Sequence, residues 1–410
     1  MNSPSLQPVR VALLMHSLNP RGGVVHTLEL ADALVQLGHE VTVIAAGAPG
    51  QTLFRPTRAR LSLAPLGPVP AGLVPAVRAR MQAVADHLRG LDLSDFDVLH
   101  SQDSITANAL ADLQDEGRVT AFVRTVHHLD TFDEPQLQAW QARGVDRADV
   151  LLCVSELWRS VLHRAWRRDA HRVGNGVNLQ RYQPACTTHQ HAADATLRAR
   201  WGLQPTTPYW LAVGGVEERK NTPRLLTAFA QVMHEHPTTR LVIAGGASLL
   251  EHAQAQREFD AVRHATGLAP GQPHAHRLVL TGALPDEALP AMYRGATALA
   301  MPSVKEGFGL VAIEAMACGT PAIVSRIAPF TEHLQPHEAF WVDPFDVDDL
   351  AAALRHTLDP VLRRRRAEPA RAVAARFDWA DSARQHLDLY RQPGRAPARS
   401  TLRTGACCHA

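Results

Sequence analysis

The sequence predicts two α/β domains, each built on a parallel sheet with helices on both faces, looking at one another across a central cleft. Three observations carry this. The chain has 410 residues, room for two domains at roughly 100–200 residues each. It opens on an apolar run of strand length, a loop, a helical face and a second strand-length run, and the same alternation restarts past residue 208. Between the two halves lies a polar stretch, Gln183 to Pro208, with threonines and histidines gathered at 187–191, which reads as a linker.

Arg10 to Met15 is almost wholly apolar, as a strand buried on both faces of a parallel sheet must be. Leu28, Ala31, Leu34 and Val35 recur at i, i+3, i+6 and i+7, a helical face that Gly38 is placed to end. Glu40 to Ala45 is a second strand, so the chain begins with a βαβ unit whose crossover is right-handed. Val98–His100, Ala121–Val126 and Val150–Val154 are further strands. Residues 1–185 are therefore expected to form one Rossmann-like domain. Past the linker, strands are expected at Trp210–Val213, Leu241–Ala244, Leu278–Leu280, Ala298–Met301 and Pro321–Val324, and helices at Thr222–Met233, Asp286–Arg294 and Leu310–Ala317. These make a second Rossmann-like domain over 186–375. Residues 393–410 have no periodicity and are expected to be a flexible tail.

Composition excludes several classes. With 46% apolar and 20% charged residues, large cores are available and disorder is not expected over most of the length. Forty-two basic against forty acidic side chains leave a formal charge of +2, no electrostatic reason to expect a nucleic-acid partner. Apolar runs fall short of the ~18–20 residues that cross a bilayer. Val11 to Met15 is too short for the core of a signal peptide. Five cysteines (153, 186, 318, 407, 408), an odd number without metal-ligand spacing, suit a reducing cytoplasm. Only Lys220 and Lys305 among the basic residues are lysines, so a lysine here invites a reason.

The strongest local signal runs from Pro302 to Pro321, with Glu306-Gly-Phe-Gly-Leu310 at a strand end and a helix directly after. Gly307 and Gly309 let the backbone approach a ligand, and the free N–H groups of a helix start bind phosphate. Glu314 sits inside an otherwise apolar helix, where a carboxylate needs partners such as sugar or ribose hydroxyls. A second constellation, Gly214-Gly-Val-Glu-Glu-Arg219-Lys220, puts two cations at another strand end, where they can neutralise a leaving diphosphate. Gly22 and Gly23 open the first helix, without the spacing of a dinucleotide fingerprint. In Arg124-Thr-Val-His127-His128-Leu-Asp130, a histidine ends a strand and faces the cleft.

The stretch Glu306 to Glu314, with seven residues between its glutamates, resembles the signature of GT-B glycosyltransferases of family 4. The resemblance extends from about residue 9 to 391. It implies that Glu306 contacts hydroxyls of a donor sugar, that Glu314 holds the ribose of the nucleotide, and that the backbone at Phe308, Gly309 and Leu310 meets sugar and diphosphate. Arg219 and Lys220 match the family's basic pair and would stabilise the leaving group, although Gly215 stands where the family often has arginine. The loop of Gly22 and Gly23, with Arg21 beside them, matches the one that approaches the diphosphate from the opposite domain. His127 matches the family's histidine better than His128 and would orient sugar or acceptor, while the base is read by backbone near Gly282. Residues 376–392 resemble the family's last helix, which crosses back to the first domain.

The implied activity is a retaining, metal-independent transfer from a nucleotide-diphosphate sugar, with no cofactor and an unidentified acceptor. Neither Asp95–Asp97 nor Asp346–Asp348 is placed for a cleft metal: the first pair precedes a strand, the second starts a helix. A nucleotide-sugar epimerase and a non-catalytic nucleotide-sugar-binding subunit are the alternatives. The arginines at 363–366 and from 55 to 89 are expected to be solvated helix faces, with peripheral contact to an anionic lipid surface as the other reading.

Overall fold

The computed structural model describes residues 7–246 and 253–391. The first domain runs β1 (Arg10–Met15), α1 (Gly22–Gln36), β2 (Glu40–Gly47), β3 (Arg60–Pro65), α2 (Leu73–Arg89), β4 (Val98–Ser101), α3 (Ser104–Asp115), β5 (Val123–Val126), α4 (Pro135–Arg147), β6 (Val150–Cys153), α5 (Glu156–Trp166) and β7 (His171–Arg172). Its seven parallel strands stand in the order β3-β2-β1-β4-β5-β6-β7. After α6 (Thr188–Ala199), the second domain runs β8 (Tyr209–Val213), α7 (Thr222–Met233), β9 (Arg240–Ala244), α8 (Ala253–Ala265), β10 (Leu278–Gly282), α9 (Ala288–Gly295), β11 (Ala298–Met301), α10 (Leu310–Ala317), β12 (Ala322–Ser325), α11 (Phe330–His333), β13 (Phe340–Val342), α12 (Val347–Leu358), α13 (Pro360–Ala367) and α14 (Ala370–Ala374). Its six strands are also parallel, in the order β10-β9-β8-β11-β12-β13.

In both sheets the chain reverses its direction of winding beside the first strand, between β1 and β4 and between β8 and β11. Loops leaving such a switch point part to opposite faces and open a crevice at the strands' carboxyl ends. All four loops singled out for chemistry leave β1, β5, β8 or β11 at that end. The two walls meet there, so the site is built from both.

The last helix, α15 (Trp379–Tyr390), returns to the first domain. Trp379, Ala383 and Leu387 share an apolar cluster with Val11, Leu13, Leu28 and Leu34. Val177 N–H bonds Phe377 O at 3.1 Å, and a Cβ on Gly176 would lie 2.3 Å from Trp379 N, so only glycine lets the helix cross so closely.

The linker expected over 183–208 is corrected. It contains α6, capped by Thr187 Oγ1 on Gln190 N–H at 3.1 Å and seated on the second domain through Asp194, which takes Arg294 Nε and Nη2 at 2.6 Å each. Its buried side is that one aspartate, so no apolar periodicity marks it. The arginines between 55 and 89 are not one solvated face: Arg55 is buried against Glu29 at 3.1 Å, and Arg89 pairs with Glu116 at 2.6 Å. The tail expected at 393–410 lies outside the described residues. Among the described residues, no helix is long and apolar enough to cross a membrane.

Candidate active site

The second-domain wall begins where β8 ends. Gly215 has φ +75°, a left-handed conformation that turns the chain at once, and Arg219 and Lys220 follow in a single 3-10 turn. Asn221 closes that turn and ties it across the sheet, its amide donating to Pro302 O at 3.0 Å and Pro344 O at 2.6 Å. Val304 N–H also bonds Arg219 O at 2.9 Å. These links bring the loops after β8 and β11 together.

Lys220 Nζ lies 2.8 Å from Glu306 Oε2, and Arg219 Nη1 lies 3.3 Å from Oε1. Ser303 Oγ and Gly307 N–H complete the carboxylate's shell at 3.3 and 3.2 Å. Burial alone would raise the Glu306 pKa, but Lys220 and Arg219 outweigh it and hold it down to about 2. Burial lowers Lys220 from its ordinary value while Glu306 opposes it. Burial likewise works against the charge of Arg219, but Glu306 and Glu217 leave its pKa raised. Glu217, which the sequence reading passed over, is 5% exposed and lies 2.9 Å from Arg219 Nη2. The cations thus stand in the cleft already oriented by two carboxylates.

Next to them Gly309 caps the start of α10, and its φ of +95° and lack of a side chain are both required, since a Cβ would lie 2.5 Å from Phe330 Cε1. Phe308 is buried, its ring tilted against His333 with centroids 4.2 Å apart. Leu310 starts the helix beside it. One turn on, Glu314 is 6% exposed, and its Oε2 accepts from Tyr293 OH at 2.8 Å. Burial pushes its pKa up to about 7, against the hydrogen bonds of Tyr293 and Tyr182 and the charge of Arg55. Part of the partnership expected from ligand hydroxyls is therefore supplied by tyrosine. Gly282 ends β10 two strands from β8, exposed and outside the cation cluster, and its carbonyl accepts from the N–H of Gly245 at 2.9 Å.

The first-domain wall carries Gly22 and Gly23 at the start of α1 and His127 after β5. A Cβ on Gly23 would lie 3.3 Å from His127 Cδ2, and one on Gly307 only 2.4 Å from His127 O, so His127 touches glycines of both walls. Its Nε2 meets Gln102 Oε1 at 3.1 Å, and burial, then His128, pulls its pKa down to about 3. It is a neutral imidazole. His128 is exposed and pairs with Asp130 at 3.4 Å. The walls are fastened beside this point: Trp158 Nε1 donates to Glu306 O at 3.2 Å, Lys305 Nζ stands 5.6 Å over the Trp158 ring, and Glu332 accepts from Glu156 and Leu157 N–H at 2.8 Å each.

The two aspartate pairs have other employment. Asp97 bonds Arg10 at 2.7 Å, and Asp346 caps α12. Among the described residues, no group of three His, Cys, Asp or Glu is arranged to hold a metal ion.

Comparison with known proteins agrees with this architecture along the whole chain. Residues 194–373 match the family model of glycosyl transferases group 1, and residues 20–181 that of glycosyltransferase family 4. A D-inositol 3-phosphate glycosyltransferase of Xylanimonas cellulosilytica is 30% identical over 97% of this chain and 100% of its own. A phosphatidyl-myo-inositol mannosyltransferase of Propionibacterium freudenreichii is 29% identical over 96% and 97%. Among solved structures, sucrose-phosphate synthase from Thermosynechococcus elongatus superposes with a TM-score of 0.75 at 24% identity over 93% and 98%. HepE of Anabaena, solved with UDP-glucose, gives 0.73 at 18% over the same shares. Two facing Rossmann-like domains with a returning last helix, matched in both halves and over full length, place the chain in glycosyltransferase family 4, with the GT-B fold.

Proposed function

We propose that this glycosyltransferase takes its sugar from a nucleotide-diphosphate donor, needs no metal, and retains the configuration of the anomeric carbon. One observation supports this above the others. A cation cluster, Arg219 and Lys220 half-buried on the buried carboxylate of Glu306, stands beside the first turn of α10, which is what a departing diphosphate requires where no divalent ion serves.

In this reading the anomeric C–O bond breaks as the acceptor oxygen approaches the same face of the sugar. The acceptor's proton passes to the leaving phosphate oxygen. Arg219 and Lys220 take up the charge that develops on the diphosphate, Glu306 keeps them aimed, and Glu314 receives the ribose hydroxyls. His127, neutral and fixed by Gln102, orients the sugar or the acceptor. No side chain is nominated as nucleophile. The donor class and the buried free thiols of Cys153 and Cys318 support a cytoplasmic place of action. The relatives' names make D-inositol 3-phosphate the first acceptor to try.

The test is release of nucleoside diphosphate from UDP-, GDP- and ADP-sugars in the presence of chelator, with and without that acceptor. Release from one donor, lost in Glu306→Ala and Lys220→Ala, supports the reading. Absence of both release and any donor-induced rise in melting temperature overturns it.

A further inference from the structure

One side chain of the first domain holds two consecutive residues of the loop after β11. Trp158, 3% exposed in the first turn of α5, donates from Nε1 to the carbonyl of Glu306 at 3.2 Å, and Lys305 Nζ stands 5.6 Å over its ring. An indole has one N–H and accepts nothing, so this bond fixes a direction, while the ring face attracts the lysine charge. Gly307 follows, packed against His127 O. Residues 305, 306 and 307 thus each meet the opposite wall. The walls also meet at Arg21 and Glu217, where Nη1 lies 3.4 Å from Oε1.

The turn that carries Trp158 is itself completed from across the cleft. The first N–H groups of a helix have no partner inside it. In α5, Ser155 Oγ accepts from the N–H of Trp158 at 3.4 Å. The N–H groups of Glu156 and Leu157 go to Glu332 of α11, one to each carboxylate oxygen, at 2.8 Å each. A carboxylate also suits the positive end of the helix dipole. Glu332 is exposed, and among the described residues its carboxylate bonds these two N–H groups alone. It therefore reaches the cations through α5 and Trp158.

We propose that Trp158 is a positioning residue for sugar transfer: it fixes the peptide of Glu306, whose carboxylate aims Arg219 and Lys220, and Glu332 fixes Trp158 by capping α5 from the opposite wall. The proposal rests on the donor-site reading above. Glu306 holds Lys220 at 2.8 Å on Oε2 and Arg219 at 3.3 Å on Oε1, so a shift of its peptide passes to both cations. A misplacement near 1 Å can cost about a hundredfold in rate. A bound diphosphate can still draw the cations to itself, so the loss falls on turnover and spares ground-state binding.

The test compares wild type, Trp158→Phe, Glu332→Gln and the double variant, all as the full chain. Two quantities are measured: kcat for nucleoside diphosphate release from saturating UDP-, GDP- or ADP-sugar, and the calorimetric Kd of the matching diphosphate. Trp158→Phe keeps an aromatic ring and deletes the N–H; its kcat is expected to fall about tenfold. Glu332→Gln keeps the shape and gives up one acceptor; its kcat is expected to fall about threefold, and Kd stays within twofold throughout. The double variant is expected to be no slower than Trp158→Phe, since residues acting through one contact are not additive. Unchanged kcat in Trp158→Phe overturns the proposal and leaves the donor site standing. So does a Kd that weakens in step with kcat, because the effect is then on binding. Losses that multiply in the double variant overturn the link from Glu332 to Trp158. If Trp158→Phe does not melt cooperatively, the surface variant decides: a lowered kcat in Glu332→Gln supports the proposal and an unchanged one overturns it. If wild type neither releases nor binds any of the three diphosphates, the donor-site reading fails, and this proposal with it.

Discussion

The hydroxyl of Tyr390, in the last turn of α15, lies 2.6 Å from Nδ1 of His100 at the end of β4. From there a buried chain runs into the cleft. His100 Nε2 is 3.2 Å from Gln102 Nε2, and Gln102 Oε1 is 3.1 Å from His127 Nε2. An amide oxygen only accepts, so His127 carries its proton on Nε2 and keeps Nδ1 as a lone pair. Gln102 donates to His100 Nε2, which leaves the Nδ1–H of His100 for Tyr390. The helix that closes the chain is thereby connected to the protonation pattern of the cleft histidine.

Tyr390→Phe keeps the ring and deletes the acceptor of a buried N–H. We expect a stability loss of about 1–3 kcal/mol in urea denaturation. Turnover should fall while the dissociation constant for nucleoside diphosphate stays put, because the cations are untouched. Unchanged turnover alongside the stability loss would limit Tyr390 to a structural part.

Acid should destabilise this fold early. His26, His100 and His386 are buried and the half-buried His127 packs against them, ring centroids 4.6 to 5.9 Å apart along the cluster. Burial holds His127 at about 3 and His386 at about 4, and lowers His26 and His100 well below their ordinary value. In the unfolded chain all four take protons below about pH 6.5. A depressed folded value means stability that is complete above 6.5 and drains away as pH falls toward 4. Each histidine costs roughly 2 kcal/mol by pH 5. Glu314, raised to about 7 by burial, gains on acidification and offsets part of this loss. The net loss from pH 7 to 5 is on the order of 5 kcal/mol, visible as a falling melting temperature. His386→Leu should flatten that slope.

The parts of this site that sequence made legible are those that local chemistry marks. Arg219, Lys220, Glu306 and His127 each follow a strand-length apolar run, and the structure gathers them at the carboxyl ends of the strands. What stayed hidden is defined by distance along the chain. Tyr293 lies 21 residues from Glu314 on a different helix, and Arg21 lies 196 residues from Glu217. His26, His100 and His386 were three among 22 histidines, distinguishable only once α15 is seen to cross back. Helix α6 failed to show because its one buried contact is polar, and β7, two residues long, is too short for any period.

Gly307→Ala should be far more damaging than its size suggests. The added methyl would lie 2.4 Å from His127 O, a backbone atom that has no rotamer to retreat into. The walls must part at the point where Trp158 reaches Glu306 O. We expect turnover to drop at least about tenfold, since a misplacement near 1 Å can cost a hundredfold. Gly22→Ala is the control: its methyl meets nothing within 4 Å, so its melting temperature should match wild type.

Lys220→Ala should separate chemistry from binding. It removes the closest cation from Glu306 but leaves Arg219 on the other oxygen, so the carboxylate is not stranded. Turnover should fall roughly tenfold or more, the worth of one charge-assisted contact of about 1.5–3 kcal/mol. The variant must still melt cooperatively for that number to count, and circular dichroism checks it. Near-native turnover would remove Lys220 from the stabilisation of the leaving group.

Glu314 gives the donor site a pH dependence of its own. With its pKa raised to about 7 by burial, it is mostly protonated at pH 6 and mostly ionised at pH 8. The ionised carboxylate can accept from both ribose hydroxyls, whereas the protonated form has lost one acceptor to its own proton. Nucleoside affinity should therefore rise about tenfold from pH 6 to 8, following the ionised fraction. A nucleoside is the right probe, because it carries no phosphate that titrates in the same window. Glu314→Gln, which cannot ionise, should bind with one affinity throughout and lie near the acidic limit of wild type. If wild type were flat and the glutamine variant unchanged, Glu314 would not be the ribose acceptor.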